Sequence, residues 1–208
     1  MRKWAVIGTL AILACSMSAC GGTEGSSKEK EQVTSVSIEK DGTIDSVIIE
    51  EFQQPYYTLE SLATMIQDDI IVFQKEQPGT EIVLESCELY GANNDFVKVE
   101  ITYDSDDTYT DFNHEIFFAG SIQQAYEAGF DLNLRLIKPD KEDADEEDYV
   151  IGRQELLKMS EHHIVIMEEN LRVKCFDEIL YVSEGVQVIN DKLVDMKQTQ
   201  GYGVVVFK

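Results

Sequence analysis

Thr58–Glu76, TLESLATMIQDDIIVFQKE, is the stretch on which the fold reading turns. Leu59, Leu62, Met65, Ile66, Ile70 and Phe73 recur at spacings of three and four, with Gln67, Asp68, Asp69 and Lys75 between them. That period predicts an amphipathic helix of about 18 residues, capped by Thr58 and stopped at Pro78-Gly79. A helix with one apolar stripe needs a surface to cover. Strand patterns lie on both sides of it, so it is expected to lie across a sheet.

Upstream, two β-branched runs between Val33 and Phe52 flank Asp41-Gly42, a strong hairpin signal. Val36, Ile38, Ile44 and Val47-Ile48-Ile49 give that pair one buried face, and Gln53-Gln54-Pro55 ends it. Downstream, Ile82–Tyr90 and Phe96–Tyr103 read as strands joined by Gly91–Asp95. Val97, Val99, Ile101 and Tyr103 alternate with Lys98, Glu100 and Thr102, the mark of a half-buried antiparallel strand. A strand is predicted over Glu115–Ala119. Ser121 with Gln124 forms a capping box for a short helix ending at Gly129, and Leu132, Leu134 and Leu136 alternate as a strand up to Pro139.

Residues 140–148 contain seven acidic residues in nine and almost nothing to bury, which reads as a solvated loop or a boundary. A short helix is predicted around Gln154–Ser160. Brief strands follow at Ile164–Met167, Leu171–Phe176, Ile179–Val182, Val186–Ile189 and Gly203–Phe207. The expected fold is α+β: a largely antiparallel, curved sheet with one long helix packed across it and a β-rich C-terminal lobe. Cone-shaped and cystatin-like domains share that order of elements, an analogy that carries no function. The expected organisation is one domain over 33–208, which the acidic loop 140–148 could divide into sub-lobes 33–139 and 149–208. Sixty residues are marginal as an independent unit, so the second lobe should pack on the first.

The chain opens differently. Arg2 and Lys3 precede an apolar run from Trp4 to Cys15, followed by Ser16-Met17-Ser18-Ala19-Cys20-Gly21-Gly22. A basic start, a short apolar core and a small-residue exit make a secretory signal peptide; the run is too short to span a bilayer as a helix, which takes roughly 20 residues. Met17-Ser18-Ala19-Cys20 resembles the modification box of bacterial lipoproteins, with Met17 standing where Leu, Val or Ile is usual. The resemblance implies cleavage between Ala19 and Cys20, so that 1–19 is the signal peptide, and a diacylglyceryl thioether on Cys20. Ile12-Leu13-Ala14-Cys15 is a rival box with a shorter apolar core and no glycines after it, and plain secretion with a free thiol is the other alternative. Two acyl chains are what stable anchoring takes, which places the protein on the extracytoplasmic face of the cell membrane. Residues 20–32 carry no large apolar residue and read as a flexible tether, long enough to hold the domain about 40 Å from the surface when extended.

Composition excludes several function classes. Seventeen Lys and Arg stand against 40 Asp and Glu, a formal net charge of −23. Nucleic-acid binding needs a basic footprint, and a polybasic contact with anionic lipid needs one too, so no nucleic-acid partner is expected and the acyl group must hold the membrane by itself. Beyond Cys20 only Cys87 and Cys175 remain. They could pair in an exported protein, or stay as two buried thiols in their alternating apolar contexts.

The metal candidates are weak. Asp104, Asp106, Thr108 and Glu115 echo positions 1, 3, 5 and 12 of a calcium loop, but Tyr109 stands where that loop needs glycine and the flanks read as strands. A polar hairpin tip explains the segment as well. Adjacent His162 and His163 point to opposite faces if extended, and no second histidine follows His114-Glu115 at the metalloprotease spacing. The nucleophile-elbow, paired-cysteine and phosphate-loop motifs are missing. Gly201-Tyr202-Gly203 has no helix after it to make a dinucleotide fingerprint. Pro55-Tyr56-Tyr57 reads as an aromatic contact patch or as a loop packed under the helix. No cofactor is expected.

The function expected is a membrane-anchored, non-catalytic module that binds a protein, peptide or envelope component; the alternative is an envelope hydrolase using acidic residues. A concave site holding carboxylates of shifted pKa would favour the hydrolase. A flat apolar patch or an exposed strand edge would favour the binding module.

Overall fold

The structure is a computed structural model that describes residues 33–53, 58–139, 148–196 and 199–208. The leader with Cys15 and Cys20, the tether, Pro55-Tyr56-Tyr57 and residues 140–147 of the acidic run lie outside the described residues.

β1 (Ser35–Ile38) and β2 (Ile44–Glu51) form the antiparallel hairpin that Asp41-Gly42 predicts. Gly42 takes a φ of 94°, a left-handed conformation that costs glycine little, and Asp41 Oδ1 accepts the Thr43 N–H at 3.1 Å. α1 (Leu59–Glu76) forms where its period places it, with a capping box between Thr58 and Ser61. β3 (Ile82–Tyr90), β4 (Phe96–Tyr103) and α2 (Asp106–Asn113) come next, followed by β5 (Phe117–Ser121) and α3 (Ile122–Glu127). The chain continues through β6 (Arg135–Ile137), β7 (Tyr149–Ile151) and α4 (Arg153–Leu157). It ends in β8 (His163–Met167), β9 (Arg172–Lys174), β10 (Ile179–Ser183), β11 (Gln187–Asn190), β12 (Leu193–Asp195) and β13 (Gly203–Phe207).

The expected architecture is corrected. Among the described residues, thirteen strands form two sheets instead of one curved sheet, in the orders β11-β12-β9-β1-β2-β4-β3 and β5-β8-β13-β10-β6-β7. No single long helix among the described residues lies across a sheet. Only Ile70 of α1 is buried; Leu59, Leu62, Ile66 and Phe73 are half-buried, while Met65, Ile71 and Val72 face solvent. α1 packs against β3, the last strand of the seven-stranded sheet. The ground it was expected to cover belongs to the second sheet.

No separate C-terminal lobe forms either. β9 pairs in parallel with β1, Ser35 opposite Arg172, so β9, β12 and β11 extend the N-terminal sheet. β8, β13 and β10 build the middle of the other sheet. Burial explains this. β8 reads HIVIM and β13 reads GVVVF, apolar at nearly every position and buried along almost all of both strands. A strand covered on both faces needs such a run, whereas a solvated face would demand alternation.

The two cores follow the same period of two. Val165, Met167, Val205 and Phe207 join Val36, Ile44, Val99 and Tyr103 in the core between the sheets. Ile164, Ile166, Val204 and Val206 lie on the opposite face, against Ile122 and Ala125 of α3 and Leu156 of α4. Each such side chain contributes about 1.5–3 kcal/mol when fully buried, so the six-stranded sheet is stabilised from both sides.

Three local readings are also revised. Residues 104–113 are not a hairpin tip, because Ser105 caps α2 and accepts the Thr108 N–H at 3.1 Å. Asp106 and Asp107 then sit in the first helical turn, where the helix dipole favours acids. The strand expected over Glu115–Ala119 therefore starts later, at Phe117, and the Leu132–Leu136 alternation shrinks to β6.

Candidate functional site

α2 brings together Asp106, Tyr109, Tyr103 and Glu169, four ionisable groups whose surroundings all raise them. One face of the helix turns to β5. Asp106 Oδ2 accepts the Ala119 N–H at 2.8 Å, and four residues on, Thr110 Oγ1 accepts the Phe117 N–H at 3.3 Å and donates to Phe117 O at 2.7 Å. Residues four apart share a helix face, so these two side chains occupy backbone groups along the free edge of β5.

The other face of α2 enters the core. The Tyr109 ring meets Tyr103 at 5.0 Å and Phe117 at 4.9 Å, and Phe112 meets Phe73 of α1 at 5.4 Å. Tyr109 Oη donates to Glu169 Oε2 at 2.6 Å. Burial pushes the Glu169 carboxyl above its ordinary value; the Tyr109 hydrogen bond opposes that shift and the Glu115 charge adds to it. Burial likewise raises Asp106, against the pull of the Ala119 N–H. The Tyr103 hydroxyl is pushed up to about 12, first by burial. It is enclosed without a hydrogen bond of good geometry, and the Asn113 side chain is the polar group that lowers its pKa.

The metal candidates are spent on separate partners. Asp104 Oδ2 accepts the Glu81 N–H at 2.9 Å, Asp106 serves β5, and Thr108 Oγ1 accepts from Ser105 Oγ at 3.0 Å. Glu115 is exposed beyond the helix end. Among the described residues, no group of three or more His, Cys, Asp or Glu is placed to hold a metal ion. His114 caps the C-terminus of α2 with a φ of 59°. His163 stacks on Phe207 at 5.3 Å, and burial holds its imidazole below the ordinary value. Cys87 and Cys175 are both free thiols.

A cleft of about 640 Å³ opens between β10 and β11, with His162, Tyr181, Glu178 and Asp191 in its lining. Neither Asp106 nor Glu169 lines it. The carboxylates of raised pKa thus lie outside this cleft.

The strand edges are treated unequally. The end strands of the six-stranded sheet are β5, held along its edge by α2, and β7, three residues long. In the seven-stranded sheet, β11 is four residues long with its register broken between Val188 and Asn190. The opposite end, β3, is nine residues long, and no described strand pairs with its far side. Val83 and Leu89 on it are 39% and 43% exposed, and Glu81, Glu85 and Glu88 are exposed as well. Short strands and covered edges are how sheets avoid unwanted pairing; β3 is long, while α1 packs against it, its register slips at Glu85 between Leu84 and Ser86, and Glu81, Glu85 and Glu88 place charge along it.

Sequence reasoning did not find the β3 edge, because a strand's neighbours are set by the whole topology. One signal was present. In IVLESCELY Ile82 and Leu84 fall on even positions and Cys87 and Leu89 on odd ones, with Glu85 and Ser86 between them, a phase change that marks a bulge. The Tyr109–Glu169 pair carried no local signal, its members lying 60 residues apart. Compared with protein-family models, with curated proteins and with solved structures, the chain matches none.

Proposed function

We propose that this chain is a lipid-anchored, extracytoplasmic interaction module that takes an extended segment of a protein or peptide partner onto the free edge of β3. The observation that carries the reading is the contrast among the four sheet edges: three are short or occupied, and the nine-residue β3 has no described strand beyond it. Unpaired backbone groups on such an edge supply affinity for an added strand, and alternate side chains supply selectivity. The anchor rests on the Met17-Ser18-Ala19-Cys20 box. No described helix is long and apolar enough to cross a membrane. The hydrolase alternative draws no support from the cleft described above, because the carboxylates of raised pKa do not line it.

Both halves can be tested in one strain series. Metabolic labelling with a clickable fatty acid should mark the wild type and not Cys20→Ala; labelling of both would remove the anchor. A photo-crosslinking residue at Val83 should give discrete adducts in intact cells, while the same residue at Tyr202, exposed just before β13, should not. Equal adduct patterns from the two positions would count against the edge.

A further inference from the structure

We infer that the segment taken up by β3 is an extended strand of alternating basic and apolar residues, an inference that rests on the edge-binding reading above. The bulge at Glu85 is the starting point. Val83 lies opposite Thr102, Ser86 opposite Glu100 and Glu88 opposite Lys98, so Val83, Ser86 and Glu88 share the polar face of the sheet. Glu81, two residues before Val83, falls on the same face by alternation. Without the bulge, residues seven apart would point to opposite faces; with it, Glu81, just before the strand, and Glu88, near its other end, fall on one face. The other face of β3 carries Ile82, Leu84, Cys87 and Leu89, of which Ile82 and Leu84 reach the inter-sheet core and Leu89 remains exposed.

A strand added along β3 therefore meets acids on one face and an apolar row on the other. The charge around the edge is one-sided as well. From Thr58 to Asp104 the chain holds ten Asp and Glu against two lysines, Lys75 and Lys98. Lys98 is already paired with Glu100. Opposite charges across a strand pair are favourable and like charges directly opposite are unfavourable. A second copy of this chain, with its net charge of −23, would set acids against acids, so a cationic partner strand fits where self-pairing does not.

The probe is a fluorescent peptide of about nine alternating Lys and Val residues, long enough to span β3 at roughly 3.3 Å per residue. It is titrated into the full-length chain in detergent micelles. A Glu–Val peptide and a Lys–Val peptide with proline at alternate positions serve as comparisons. The expected result is saturable binding of the first peptide, with slowed hydrogen exchange confined to β3 amides. The Glu–Val and proline peptides should bind weaker by about tenfold or more. Replacing the exposed pair as Glu81→Lys and Glu88→Lys should invert the charge preference, and about 1 M salt, where the Debye length is about 3 Å, should erase it.

The failures are distinguishable. Equal binding of Lys–Val and Glu–Val peptides, with the proline form excluded, overturns the cationic partner and leaves strand addition standing. Binding of the proline form as tight as the unbroken one, or protection spread away from β3, overturns strand addition itself. No binding by any of the three overturns both.

Discussion

The Tyr109 hydroxyl donates to Glu169 Oε2 at 2.6 Å, tying α2 to the turn between β8 and β9 across 60 residues of sequence. Tyr109 is 3% exposed. Its ring also touches Tyr103 and Phe117, so one side chain connects β4, β5 and the β8–β9 turn. Tyr109→Phe keeps the ring contacts and leaves a largely buried carboxyl without its donor. Loss of one partner of a buried hydrogen bond costs about 1–3 kcal/mol, and each kcal/mol moves the midpoint of a domain this size by roughly 2–4 °C. A melt of Tyr109→Phe within a degree of wild type would show that the bond contributes nothing net.

Glu169 also makes stability depend on pH, with a definite sign. Its pKa in the fold is raised above the ordinary 4.5, chiefly by burial. The folded state then binds more protons than the unfolded chain between 4.5 and the raised value. The stability this gives is fully present below 4.5 and is lost as pH rises through the folded pKa. Glu169→Gln cannot titrate. The variant should therefore gain on wild type, in melting temperature, as pH goes from about 4 to about 7. Tyr103, Tyr109 and Glu115 face the same carboxyl, and all three remain in both proteins, so the difference isolates Glu169. A pH-independent difference between the two would refute the assignment.

α2 guards the edge of β5 through Asp106 and Thr110, and Asp106 carries the charge-assisted bond to the Ala119 N–H. Asp106→Ala removes the acceptor and leaves that N–H exposed on an open edge. The expected cost is about 1–3 kcal/mol, with faster exchange of the Ala119 amide and concentration-dependent association through β5. Asp106→Asn retains an acceptor oxygen and should restore the exchange rate in part. If Asp106→Ala stays monomeric by light scattering and keeps Ala119 protected, α2 does not serve as the edge guard.

How far the sequence revealed this structure depended on the range of the interaction. The Asp41-Gly42 hairpin, the Thr58 and Ser121 capping boxes and the alternation of Phe96–Tyr103 are local, and each element forms where those residues place it. Ser105-Asp106-Asp107 is equally local, an N-cap followed by two acids, but the segment reads as a polar hairpin tip. What the pattern could not supply was partnership. Ser35 pairing in parallel with Arg172 is set by the meeting of distant segments, and that pairing converts an expected lobe into three more strands of the first sheet. The runs HIVIM and GVVVF did carry a hint, since alternation is absent from both and two-sided burial is its usual cause. The candidate edge followed the same rule: the acids of β3 were visible, but its place at the end of a sheet was not.

β13 is in the middle of a sheet. β13 lies between β8 and β10, pairing Val205 with Val165 on one side and with Val182 on the other, and four of its side chains divide between the two cores. Phe207, one residue from the end, is 1% exposed and packs on His163 and Phe176. Removing residues 203–208 deletes the strand that joins the two halves of the six-stranded sheet and exposes the apolar faces of β8 and β10. The truncated chain should lose its cooperative thermal transition and bind a hydrophobic dye. Phe207→Ala should retain the transition at a cost of about 3–5 kcal/mol. A truncated chain that still melts cooperatively near the wild-type temperature would mean that β8 and β10 close on each other, and that β13 is not the strand holding that sheet together.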